Sequence, residues 1–417
     1  MRAAVWFLAL FGIAVALALF AGNNQGAVTL FWPPYRIDLS LNLVLLLLLG
    51  AFLFLHAALG ALAALLELPR QALRWRTQQK ERAMHASLLD SISHMLAGRF
   101  IRARKSAEGA LQQERSLTVS GHTPDNAGQL RALAHLLAAE SAQALQDRAG
   151  REEHLQQALE HAGTRDAQET REGALMRAAR WALDDRDPKA AVGWLKGLPQ
   201  GAARRTLALR TRLKASRQAG QPAEALETAR LLAKHRAFSQ VAARSIVRGL
   251  AVDLLNGAYD VTQLQRAWGL LDASERAIPE VAVHAAQRLA ALGGDAQLSR
   301  DWLLPAWERQ AELGDTLRVK LVRALEEGLD SLDGAWLARI EAAQKANPRD
   351  ATLQYLAGMA CMKRQLWGKA QQLLTQAALG LQDAGLYRSA WRALAALAEQ
   401  REDRDAAAEA WKRAAGE

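Results

Sequence analysis

Near its C-terminal end the chain reads ANPRDATLQYLAGMACMKRQLWGKAQQLLTQAAL, residues 346–379. Pro348 marks a break, because proline cannot continue a preceding helix. Ala357 and Gly358 then place small residues in one helix, and Ala370 and Ala377 place them in a second, with bulky Leu374 between. Small residues let two helix backbones approach, and a bulky one fills the groove opposite. The stretch therefore predicts an antiparallel pair of α-helices packed at close range.

This spacing resembles the tetratricopeptide repeat, a helical hairpin with a period of about 34 residues. Gln354 stands where that family usually has Trp, and Cys361 where it has Tyr. Trp391, Leu394, Ala395, Ala398, Ala407, Trp411 and Ala414 repeat the offsets. Weaker copies lie at His135, Ala138, Ala139, Ala142, Leu155 and Ala158, and at Ala178, Trp181, Ala190, Trp194 and Gly197. Gly98, Phe100, Ala103, Ala107 and Ala110 read as the second helix of another, as does 226–232. Residues 242–334 are helical by composition but off phase. Such units bury their apolar faces only by stacking, so Trp181, Trp194, Trp391 and Trp411 are expected in the core. Trp302 and Trp307 are five apart and do not share one helix face; core is the expected role, a contact pair the alternative.

Composition agrees. Ala, Leu, Arg, Gln and Glu, all good helix formers, dominate after residue 70. Half of the 417 residues are apolar and only ten are proline. A single cysteine, Cys361, excludes a disulfide framework or a thiolate zinc site within one chain. The predicted fold is all-α: two N-terminal transmembrane helices followed by a tetratricopeptide-like α-solenoid.

The transmembrane reading rests on two runs, residues 3–21 and 43–66, which carry no charge; His56 is the one strongly polar side chain of the second. Roughly 20 helical residues cross a hydrocarbon core. The predicted anchor is 1–67, with a short outer loop at 22–42 whose Trp32, Pro33, Pro34 and Tyr35 suit the aromatic belt of a membrane surface. Segment 68–115 is a basic juxtamembrane helical region, and 116–417 the repeat domain. Arg70, Arg74, Arg76, Lys80 and Arg82 follow the second run against Glu81 alone. The positive-inside rule then predicts a two-pass protein with both termini and the repeat domain in the cytoplasm.

The basic segment has two readings: attraction to anionic lipid headgroups, and retention of topology. The overall charge of +10 also suits nucleic acid, but no accompanying motif does, so none is expected as a partner. The sequence holds no dinucleotide fingerprint, phosphate loop, zinc-protease motif or serine elbow, and the expectation is a non-enzyme without a catalytic residue, metal or required cofactor. The acid pairs Asp184/Asp185 and Glu326/Glu327 read as solvated faces or helix ends. Cys361 reads as a buried structural thiol. Histidines offer little: His85 and His94 face apart, and His154 and His161 share a face but stand about 10.5 Å apart along a helix, beyond one metal. His56, in the membrane run, stands as a candidate haem ligand.

Two membrane helices, a short outer loop, a basic exit and a degenerate helical-repeat body together resemble the HemY family of proteobacteria. The local stretches are 21–26 (AGNNQG), 102–105 (RARK) and 135–142 (HLLAAESA). The resemblance implies an inner-membrane, tetratricopeptide-type protein of late protohaem biosynthesis. An unrelated flavin-dependent oxidase shares the name, but it needs a dinucleotide-binding turn that is absent from this sequence. The implied function is a scaffold organising late haem enzymes or intermediates at the bilayer. The alternatives are direct binding of haem or porphyrin and an adaptor role in envelope assembly. For direct binding, Arg70, Arg74 and Arg76 would meet propionates and Trp75 would stack on the ring, with Lys80 and Arg82 in the same basic segment.

Overall fold

The computed structural model describes residues 11–14, 16, 18, 22, 26–124, 126–163 and 165–416, without the side chains of 63–65 and 67–70. The predicted first membrane helix, 3–21, falls largely outside the described residues. The chain divides into two compact units, Met1–Ala167 and Gln168–Glu417.

The first unit opens with a correction. The predicted loop, in a fold expected to be all-α, contains a β-hairpin: β1 (Ala27–Trp32) pairs antiparallel with β2 (Tyr35–Ser40), from Ala27 opposite Ser40 to Trp32 opposite Tyr35. The cause is local. AVTLFW and YRIDLS are rich in β-branched and aromatic residues, and Pro33-Pro34, which cannot donate to a ladder, occupies the turn. Phe31, Trp32 and Tyr35 at the tip are exposed.

The hairpin leads directly into α1 (Leu41–Leu96), a continuous helix of 56 residues, about 84 Å long at 1.5 Å per residue. Ser40 caps it, accepting from the Leu43 N–H at 3.3 Å. Gly98 ends the turn beyond it with φ +71°, a conformation that favours glycine. The helix changes character along its length. Over Leu41–Leu62 it is apolar all round, with mean hydropathy 2.5 and no buried side chain, long enough to cross a membrane. Further on, Met84 and Ser91 become fully buried against α2 (Phe100–Val119). The Ser91 hydroxyl donates to the Ala103 carbonyl at 2.8 Å, and Ala103, Ala107 and Ala110 form the fully buried stripe that permits this approach. A second hairpin follows, α3 (Ala127–Ala144) and α4 (Arg148–His161), with Ala138, Ala139, Ala142 and Ala158 fully buried.

The second unit continues in helices: α5 (Gln168–Asp184), α6 (Pro188–Lys196), α7 (Thr206–Gln218), α8 (Pro222–Lys234), α9 (Gln240–Asn256), α10 (Val261–Leu270), α11 (Pro279–Ala291), α12 (Ala296–Glu308), α13 (Asp315–Glu326), α14 (Gly334–Ala346), α15 (Ala351–Lys363), α16 (Trp367–Gly380), α17 (Ala384–Gln400) and α18 (Arg404–Ala415). One apolar core runs from Leu209 to Ala410. The stretch quoted at the outset forms the α15–α16 hairpin. Ala357, Ala360, Cys361, Ala370, Leu374 and Ala377 are all buried. A Cβ on Gly358 would lie 2.7 Å from Leu374 Cγ, so only glycine fits that crossing.

The off-phase region is helical, as expected. Its core adds indole pairs to buried alanines such as Ala251, Ala282, Ala285 and Ala306: Trp268 stacks on Trp302 at 4.6 Å, and Trp307 meets Trp336 at 6.0 Å. Trp302 and Trp307 are therefore core, each with its own partner. Trp181 is buried too, but Trp194 and Trp391 are half-buried and Trp411 is 44% exposed. The Trp411 correction has a clear cause. On α18 no hairpin covers it among the described residues, and its indole N–H donates to Glu399 Oε1 at 2.7 Å.

Gly358→Ala is expected to destabilise the protein by about 1–3 kcal/mol through overpacking. Leu374→Ala alone opens a cavity costing about 2–5 kcal/mol. The double variant should lose less than the sum of the two, because the new methyl occupies the vacated space. Denaturation midpoints of the three variants measure that coupling.

Candidate functional site

The residues singled out after the second apolar run do not gather into a site. Arg74, Trp75, Arg76 and Arg82 are exposed along α1, and Lys80 is half-buried. Arg70 lies in the same helix, its side chain outside the described set. At about 100° per residue, Arg74 and Arg76 point to nearly opposite sides, so the cations encircle the helix as a collar. Trp75 is 62% exposed. His56 sits in the exposed apolar span with its ring over Phe52, centroids 6.4 Å apart.

What the fold does bring together is a histidine cluster in the α3–α4 hairpin. His135, on α3, is 5% exposed. Its Nδ1 faces His154 Nδ1 at 3.0 Å, so one ring donates and the other accepts. On the other side its ring stacks on His161, centroids 5.7 Å apart. His154 and His161 are indeed on one face of α4, and His135 slots between them from the partner helix.

The surroundings are charged and closely paired. Arg104 donates to Asp147 at 2.7 Å and to Glu108 at 2.9 Å. Asp147 also caps α4 through the Gly150 N–H at 3.0 Å. That bond and Arg104 hold its carboxyl below the usual range. Glu114, whose side chain is 1% exposed, accepts from Arg131 at 2.6 Å and from Thr118 at 2.9 Å. Burial alone would raise its pKa, but those bonds keep it below the ordinary value. His135 separates two open clefts. One, of about 350 Å³, is edged by Glu114, Arg131 and His161; the other, of about 490 Å³, by Arg104, Glu108 and His154. Arg115 borders both.

Burial, reinforced by the neighbouring His154, His161 and Arg115, pushes the His135 pKa down to about 4. Burial and Arg104 lower His154 as well. Both rings are thus disposed to stay neutral and to share a proton between facing nitrogens. Among the described residues, no three His, Cys, Asp or Glu side chains are placed to hold one metal ion. The cluster is a hydrogen-bonding wedge between two charged clefts.

The other sequence candidates fall as follows. Cys361 is buried, and burial raises its thiol pKa. Asp184 is exposed, but Glu326 departs from the solvated reading. It is half-buried and accepts from the Tyr355 hydroxyl at 2.5 Å, and burial raises its pKa.

The lowered His135 pKa makes the unfolded chain the stronger proton binder between pH 4 and 6.5. The associated stability is complete above about pH 6.5 and is lost as pH falls toward 4. His135→Gln, which cannot titrate, should flatten that loss by about 3 kcal/mol, taking 1.36 kcal/mol per pH unit. Melting temperatures of both proteins from pH 4 to 7.5 provide the check.

No curated protein matches the chain. Similar solved structures include a tetratricopeptide repeat protein from Parabacteroides merdae ATCC 43184, 15% identical, covering 74% of this chain and 99% of that one with a TM-score of 0.31. A chain from the APC/C hetero-tetramer Cut9-Hcn1 is 13% identical, covering 80% and 66% with a TM-score of 0.28. A chain from Naa15/Naa10 bound to HypK-THB is 13% identical with a TM-score of 0.22; the match takes in 77% of this chain and 57% of that one's length. The family described as HemY protein N-terminus matches residues 26–146, a segment that runs from the β-hairpin through His135 to the end of α3. Over this segment, which is less than a third of its length, the chain is similar to the HemY family.

Proposed function

We propose that the protein is a membrane-anchored helical-repeat scaffold that supports a late step of protohaem IX biosynthesis by holding haem-pathway enzymes or intermediates at the inner membrane. The observation that carries this reading is the continuity of α1. One helix, Leu41–Leu96, is apolar and without a buried side chain over Leu41–Leu62 at one end and packed into the first repeat hairpin at the other. Its role is to hold a binding surface at a set distance from the lipid. The family match supports the pathway, since HemY proteins are associated with late protohaem steps.

The physics of tethering supports the mechanism. Partners confined to the same few nanometres meet at effective concentrations in the millimolar range, so weak contacts suffice. Haem precursors are apolar and reactive, and short transfer distances limit their escape. The collar of Arg74, Arg76 and Arg82 adds attraction to anionic headgroups, about 1 kcal/mol per residue near the surface. In this reading the chain crosses the membrane twice, keeps both termini and the repeats in the cytoplasm, and performs no reaction itself.

Purification under mild detergent after in-cell crosslinking at the basic segment is expected to recover late haem-pathway enzymes. Recovery of none across several detergents would refute the scaffold reading. A reporter that fluoresces only in the cytoplasm, fused after Glu417, should light up. A dark fusion would overturn the topology and leave the scaffold reading to the crosslinking result.

A further inference from the structure

The second unit contains a cleft that the scaffold reading leaves without a role. It measures about 770 Å³, within the range of small-molecule sites, and lies between α7 and α9. Along α7, Arg210, Lys214 and Arg217 recur at i, i+4 and i+7 and line one wall. Along α9, Ile246 and Leu250 with the same spacing line the other, with Asp253 at its end. Phe238 and Leu213 complete the apolar surface.

This charge arrangement is costly for the fold alone. Like charges at i, i+4 destabilise a helix by a few tenths of a kcal/mol per pair. Arg210 donates to the Ala237 carbonyl at 3.0 Å. Lys214 and Arg217 take part in no ion pair among the described residues, although such pairs are frequent elsewhere in this unit, as at Arg230–Glu275 and Arg318–Asp350. Two uncompensated cations therefore stand beside an apolar floor, with a half-buried aromatic ring at its edge.

We infer that this cleft binds a small amphiphilic carboxylate, its apolar body lying on Phe238, Ile246 and Leu250 and its anionic end on Lys214 and Arg217. The complementarity is of two kinds. The floor removes apolar surface from water, at about 25 cal/mol per Å². The cations offer charge-assisted hydrogen bonds, the stronger class of such bonds. A neutral ligand of the same body forfeits the second contribution, and an anion without an apolar body forfeits the first.

The test uses the full chain in lipid nanodiscs and a diazirine-bearing hexadecanoate, with its methyl ester as the uncharged control. After irradiation, labelled peptides are mapped by mass spectrometry, which separates the cleft from the lipid-facing span. The carboxylate is expected to label residues 206–257, with the ester at least about tenfold weaker, as the loss of a charged hydrogen bond implies. Lys214→Gln with Arg217→Gln should lower labelling by a similar factor, and the charge-keeping pair Lys214→Arg with Arg217→Lys should retain it. Arg388→Gln with Arg392→Gln, at another cleft of the same unit, should change nothing. Equal labelling by ester and acid, insensitivity to the Gln pair, or no label in 206–257 would each overturn the inference. Because the readout is confined to this cleft, its failure leaves the scaffold reading untouched, and the converse also holds.

Discussion

Close approach of paired helices is the constraint on which both units depend. Backbones can come near only where one side chain is absent or is a methyl, and the chain supplies such positions in phase. Ala103, Ala107 and Ala110 serve α2, Ala138, Ala139 and Ala142 serve α3, and Gly358 takes a close crossing against Leu374. Each hairpin then exposes apolar residues that its neighbour within the unit covers, so the core grows along the chain. Between α10 and α14 two tryptophan pairs join buried alanines such as Ala282, Ala285 and Ala306 in the core.

Much of this was legible from residue spacing, because a helical hairpin is a local object. The offsets of Ala357, Gly358, Ala370, Leu374 and Ala377 translate directly into one buried seam. The β-hairpin was missed for the opposite reason. Its strands of six residues each lie between apolar segments, and the prior for helix hid an alternating pattern around Pro33-Pro34. Trp411 was misplaced because a repeat position is buried only where a neighbouring helix covers it, and among the described residues its indole is left at the surface, donating to Glu399.

The histidine cluster shows where one-dimensional reasoning stops. His154 and His161 are correctly seven apart on one face, and judged alone they are too far apart to act together. The hairpin turns at Gln146, whose φ is +60°. Counting eleven residues back from there reaches His135, and eleven forward reaches Gln157, which sits between the two histidines on the same helix. A signal was thus present, but it required folding the hairpin about its turn before comparing side chains. The cations after the membrane run failed in the converse way: neighbours in sequence, they radiate from the helix and enclose nothing.

The long first helix has a mechanical consequence. From Leu62, where the apolar span ends, to Leu96 there are 34 residues, or about 50 Å of rod. Transmembrane helices tilt by about 20° on average. On an arm of that length, a change of 10° would sweep the first hairpin sideways by nearly one helix diameter, about 9 Å. With the span anchored in a bilayer as proposed, a small change in tilt would in this way be transmitted as a lateral displacement of the first hairpin.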